Sequence, residues 1–215
     1  MSPVSARIHE AVVCTRDADG RLRSAPMGVR WQPGGPGGAL QAVLMPFRPS
    51  TTLDNLLRER VAVLNLLVDA RVFAGCVTGR RDWPSRAVAG DGHGPWPARL
   101  DCALRHVALR VAAVEDDPQR PRLRLDPVED VTHAPFDGMN RAQAAVIEGA
   151  VLVSRLHLLP VERIAEEMAA LQVAIDRSAG PEEREAWSWL LEAVEARRRR
   201  PVARPAAVTA RGATA

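Results

Sequence analysis

The hydrophobic rhythm of the chain changes once, near residues 135–140, and that change narrows the possible folds more than any single motif. Upstream, apolar residues come in short β-branched runs separated by turn residues. Ile8 to Arg16 reads as a strand, Asp17-Ala18-Asp19-Gly20 as a turn, and Arg21 to Trp31 as the returning strand of a hairpin. Residues 32–38, rich in Gly and Pro, read as an exposed connection. Ala39 to Met45 and Val61 to Val68 follow as strands, with a short helix from Thr51 to Arg60 between them. A long loop over 79–98 precedes two further strands, Leu100 to Val114 and Arg122 to Asp126, joined by an Asp116-Asp117-Pro118 turn.

Downstream, the period becomes helical. Ala142, Ala145, Val146, Gly149, Leu152, Val153 and Leu156 recur at helix spacing until Pro160. Val161, Ile164, Met168, Leu171 and Ile175 form a second stripe, closed by Gly180. Pro181 with Glu182 and Glu183 opens a third helix: proline suits the first turn and acids complement the helix dipole. Strands first and helices afterwards define an α+β chain. The expected units are 1–137, 138–200 and a disordered Arg/Ala/Pro tail over 201–215.

Charge divides along the same boundaries. All 29 basic side chains are arginine, and tyrosine is absent as well. The missing lysine excludes a P-loop and Schiff-base chemistry, and the missing tyrosine excludes a phenolic acid or base. Residues 1–138 carry 18 arginines and 16 acids, whereas 139–196 carry five arginines and ten acids. Six arginines and no acid fall between Arg197 and Ala215, so the pI near 9.3 belongs to the tail. Nucleic-acid binding would rest on that one end. No run is long and apolar enough for a spanning helix, and no leader-like apolar region opens the sequence, so a cytoplasmic protein without a membrane segment is expected. Cys14, Cys76 and Cys102 are scattered and read as small buried hydrophobes.

Two segments carry candidate chemistry. Arg48-Pro49-Ser50-Thr51-Thr52-Leu53-Asp54-Asn55 lies between a strand and a helix. A helix N-terminus offers unpaired N–H groups and partial positive charge, and the hydroxyls and guanidinium add donors suited to a phosphate. The same residues also suit plain capping by Ser50 or Thr51, with Asp54 closing a variant of the capping box. In Ser24-Ala25-Pro26-Met27-Gly28-Val29, proline cannot donate to a ladder and glycine permits close approach. That suits a strand edge facing a flat ligand, or an ordinary bulge. The five histidines show no metal-ligand spacing, there is no G-x-S-x-G elbow, and the Gly34–Gly38 run lacks the dinucleotide fingerprint.

The order of these segments (hairpin, S-A-P-M-G-V, strand, R-P-S-T-T-L-D-N-L, then V-L-N-L-L-V-D) resembles the FMN-binding split-barrel superfamily of flavin reductase and pyridoxamine-oxidase-like proteins. More narrowly, N-R-A-Q-A-A-V-I-E and S-R-L at residues 140–148 and 154–156 are similar to an uncharacterised archaeal-type branch with a helical C-terminal domain. The resemblance spans about residues 8–195 and implies an antiparallel split barrel followed by a small helical bundle.

It also implies a cofactor, FMN. The phosphate would sit by Arg48, Ser50, Thr51, Thr52 and Asn55, and the isoalloxazine would lie along Ala25, Pro26, Met27, Gly28 and Val29. Asn65 matches the asparagine of the following core strand, and Arg141 and Arg155 would be candidates to reach the site from the helices. The superfamily completes its sites with a second subunit, so a homodimer with FMN at the subunit interface is implied, together with a small-molecule redox partner. Some barrels of this kind use lysine on the phosphate; here arginine and hydroxyls must serve. The implied activity is hydride transfer through flavin N5, with methanopterin-linked one-carbon metabolism as a setting for the branch. A non-catalytic FMN carrier is the alternative, and nucleic-acid binding through the tail a third.

Overall fold

A computed structural model describes residues 7–199, so the tail beyond Arg199 lies outside the described residues. β1 (His9–Arg16) and β2 (Leu22–Pro33) form the expected hairpin, with Arg16 opposite Leu22 and His9 opposite Val29. The turn is held by Asp17, whose side chain accepts from the backbone of Asp19 and Arg21. β2 runs two residues further than the sequence suggests, because Gln32 and Pro33 pair with Gln41 and Leu40 of β3 (Leu40–Leu44). Then come α1 (Thr51–Glu59), β4 (Val61–Leu66), α2 (Ala70–Thr78), the short β5 (Ser85–Arg86) and β6 (Arg99–Leu100), β7 (Arg105–Glu115) and β8 (Arg122–Thr132).

Six of these strands close into an antiparallel barrel in the order β1-β2-β3-β8-β7-β4, β4 returning to β1. Alternation along each strand sends Ala11, Val13, Val29, Leu44, Leu64, Leu109 and Leu123 into the barrel. The intervening residues of β1 and β4 face outwards, where Val12, Cys14 and Val63 meet helices.

Those helices are α3 (Arg141–Ser154), α4 (Val161–Ser178) and α5 (Pro181–Arg199), joined by α2. The three C-terminal helices follow the expected stripes and stops. Asn140 caps α3 by accepting from Ala142 N–H at 2.7 Å and donates to the Ser178 carbonyl at the end of α4. Glu183 reaches back to Gly180 N–H at 2.8 Å, closing the first turn of α5. At Gly149, a Cβ would stand 2.8 Å from the Trp187 ring, so glycine is what lets α3 and α5 approach so closely.

Two expectations are corrected. α2 is a helix in the stretch between the strand ending at Val68 and the loop beginning at residue 79, to which the sequence pattern assigns no element. The second is the strand drawn from Leu100 to Val114. Its first residues belong to β6 and a turn, and β7 begins at Arg105, because Leu100 N–H is engaged by the Asn65 side chain rather than by a barrel ladder.

Candidate functional site

β2 supplies the first part of the site. Its residues 22–29 pair with β1 on one side, but β3 joins the other side only at Arg30, opposite Val43. The edge from Leu22 to Val29 therefore has no strand partner among the described residues, and proline at position 26 costs no bond on such an edge. Val29 is fully buried and points into the barrel, as Met27 does in part, so these two offer an approaching group mainly backbone. A Cβ at Gly28 would come within 2.5 Å of an Ile8 methyl; the group that approaches this glycine closely is the side chain of Ile8. Ser24 shares a contact of 3.4 Å with the Cys14 thiol.

Beyond Leu44, opposite the level where β2 becomes free, the chain leaves the sheet and turns into α1. Ser50 is the cap: it is extended, and its Oγ accepts from Leu53 N–H at 3.2 Å. Asp54 consequently stands one residue beyond the capping-box position. Capping occupies one first-turn donor and leaves the N–H groups of Thr51 and Thr52 without helical partners. The Thr51 side chain is exposed and Thr52 is buried. Arg48 is half-exposed; its Nη2 donates to Asp116 Oδ1 at 2.8 Å, and its backbone N–H to the Gln119 carbonyl at 2.8 Å. Arg120 donates to the Met45 carbonyl and stacks on Phe47. The β7–β8 turn thus braces the whole 45–50 segment.

The other two expected residues are placed differently. Asn55 is buried and points to β1: its Nδ2 donates to Thr15 Oγ1 at 2.9 Å, and its Oδ1 accepts from Arg58 at 3.1 Å. Arg58 also donates to the Arg16 carbonyl, so Thr15, Asn55 and Arg58 fix the roll of α1 on the barrel. Asn65 is fully buried on the helix-facing side. Its Nδ2 meets the carbonyls of Val12 and Val63 at 3.0 and 3.2 Å, and its Oδ1 accepts from Leu100 N–H at 2.8 Å. Ser50 and Thr51 stand at the helix start, with Arg48 two residues before the cap and its guanidinium on Asp116, whereas Asn55 and Asn65 spend their polar atoms on the protein. Thr15, Asp116 and Arg120 are the positions that sequence reasoning missed; their partners are 40, 68 and 75 residues away, and nothing local marks them.

Ionisable groups that could attack a substrate do not gather here. Burial pushes the thiols of Cys14 and Cys102 up to about 11 and that of Cys76 to about 12, which keeps them protonated and inert. Among the described residues no His/Cys/Asp/Glu group is arranged to hold a metal ion, and no helix is long and apolar enough to cross a membrane.

Residues 9–134 match the N-terminal domain of the protein of unknown function DUF447, and residues 140–192 match the second DUF447 domain. The chain belongs to the DUF447 family. Among curated proteins nothing matches. Among solved structures, this DUF447 chain is similar to an FMN-bound DUF447 protein from Methanosarcina mazei, at 20% identity and a TM-score of 0.75, covering 88% of this chain and 96% of that one. Similarity to the 2-nitrobenzoate 2-nitroreductase of Pseudomonas fluorescens is 16% identity at a TM-score of 0.48, over 60% of this chain and 66% of that one. For the flavin reductase PheA2 it is 11% at 0.46, over 59% and 80%. The architecture shared with the Methanosarcina mazei protein is the split barrel with its C-terminal helices.

Proposed function

We propose that this DUF447 chain is an FMN-binding flavoprotein that works as a flavin-dependent oxidoreductase. The observation that carries the reading is the start of α1, where the cap is a neutral serine, two first-turn N–H groups lack helical partners, the Thr51 side chain is exposed, and Arg48 stands two residues before the cap. Arg48 gives one N–H to Asp116, and its remaining donors suit phosphate oxygens. The likeness over most of the chain to an FMN-bound family member supports the same assignment.

In this reading Arg48, Ser50 and Thr51, with the N–H of Thr52, hold the phosphate, while the free edge at Ala25–Val29 lies beside the ring. When bound, the flavin supplies hydride carriage at N5. The protein's own contribution is binding and orientation: Thr15, Asn55 and Arg58 set the direction of α1, and the β7–β8 turn sets Arg48. No side-chain nucleophile is needed, which suits a site that gathers none. A second copy of the chain completes the site across a homodimer interface, and the redox partner is a small molecule, with nicotinamide or a reduced pterin as donor. Free thiols suit a cytoplasmic setting.

The deciding measurement is the absorbance spectrum of the purified protein before and after added FMN. Flavin bands that disappear in the Arg48→Ala/Ser50→Ala double variant are the expected result, and a colourless protein that takes up no FMN refutes the reading. Anaerobic addition of NADH, NADPH or a reduced pterin then separates enzyme from carrier, because a bound flavin that none of them bleaches is a carrier's. Sedimentation of the FMN-loaded protein tests the dimer.

A further inference from the structure

The C-terminal end of α5 rests on the turn between α3 and α4. Arg197 Nε donates to the Leu156 carbonyl at 3.2 Å, which brings the turn holding the exposed Arg155 against the last turn of α5, where Arg198 and Arg199 are exposed. Acids are few at this end: Glu195 is taken by Arg198 at 2.8 Å, and Glu162 opens α4. Among the described residues Arg155, Arg197 and Arg199 have no acidic partner, whereas on the barrel Arg86 is paired with Asp101 and Arg105 with Asp130.

The helix dipole does not account for this many cations. One basic side chain in a last turn already offsets the negative end of a helix. α1 and α4 carry one each, Arg58 and Arg177, and α2 and α3 carry none, but α5 carries three. The sequence then adds Arg200, Arg204 and Arg211, outside the described residues, with no acid as far as Ala215.

The chemistry of these residues selects the partner. Every cation is arginine, whose planar fork matches phosphate oxygens. Residues 201–215 contain no Leu, Ile, Met or aromatic side chain, and the α3–α4 turn exposes only Leu158 as a large apolar group. That is too little apolar surface to anchor a protein pocket or enter a bilayer. Guanidiniums spaced by small residues and prolines suit a polymer with regularly repeated phosphates. We propose that this end of the helical bundle binds the phosphate backbone of nucleic acid, with Arg155 of the α3–α4 turn sharing the contact with α5 and the arginines that follow it. The rest of the bundle repels the polymer, since residues 139–196 carry five arginines against ten acids, so contact is confined to this end.

Fluorescence anisotropy of a labelled DNA duplex, titrated with the full-length protein between about 50 and about 200 mM salt, tests the surface. Affinity should fall about 250-fold across that range, a log–log slope of about −4 for roughly four phosphates. Ending the chain after Arg199 should make the slope shallower by about 2, and Arg155→Ser with Arg199→Ser in the full-length chain should make it shallower by about 1 to 2. Both substituted positions are exposed, so the melting temperature should hold. No binding at the lowest salt, or a slope that neither change alters, would overturn the proposal. Poly-glutamate or anionic phospholipid vesicles that bind as tightly as the duplex would also overturn it, giving the surface to an acidic protein or a membrane. The Arg48→Ala/Ser50→Ala variant should bind the duplex as the parent does; a loss there would move the phosphate contact to α1 and equally overturn the proposal. FMN enters none of these readouts.

Discussion

α1 and α2 are near twins in local structure, and they do opposite things. Each is nine residues long, follows a barrel strand, begins at a side-chain cap and ends at a left-handed residue, Arg60 at φ 62° and Gly79 at φ 88°. The caps differ in charge. Ser50 is neutral, with an arginine two residues before it; Asp69 is an acid, accepts from Arg71 N–H, and is forked by the Arg71 guanidinium at 2.9 and 2.8 Å. α2 is therefore closed to anions at its start, and its apolar residues Ala70, Val72, Phe73 and Ala74 are buried against α3, α5 and the barrel wall. α1 buries fewer apolar side chains and leaves its first turn open. A helix N-terminus becomes a candidate anion site only where nothing of the protein's own has neutralised it.

The contrast can be broken from either side. The largest effect belongs to α2: Phe73→Ala should lower unfolding stability by about 3–5 kcal/mol in a denaturant titration, since the ring is almost wholly buried. FMN uptake by the folded fraction should be retained. Ser50→Asp makes the α1 cap resemble that of α2. Aspartate caps as well as serine, so the melting temperature should hold, while a carboxylate beside the phosphate should weaken FMN binding by about a hundredfold in a fluorescence titration. Unchanged affinity would remove α1 from the site. The smallest effect is Asp69→Ala, about 1 kcal/mol of stability from a lost cap, with no gain of anion binding because α2 remains packed in.

The same pair explains what the sequence could and could not convey. α1 was legible because hydroxyl residues open it ahead of an amphipathic run. α2 was not, because burial on several sides leaves Ala70, Val72, Phe73, Ala74 and Gly75 with no polar face to establish a 3.6 period. The three C-terminal helices were legible for the reason α1 was, each showing one wet and one dry side, whereas β1 and β4, buried on both faces, were legible as short β-branched apolar runs. At the site, Arg48, Ser50 and Thr51 could be grouped from their spacing. That Asn55 would turn to Thr15, and Asn65 to Leu100, depends on strand pairings between distant segments, which spacing does not encode.

Asn65 also bears on the order in which the molecule assembles. One amide holds the carbonyl of Val12 on β1 while its own carbonyl receives Leu100 N–H of β6. That carbonyl is aimed only after β1 and β4 have met, and Leu100 is 35 residues further along the chain. β6 should therefore seat late in folding, on a barrel seam already zipped, and in refolding followed by pulsed exchange Leu100 N–H should gain protection after the β1–β4 amides do.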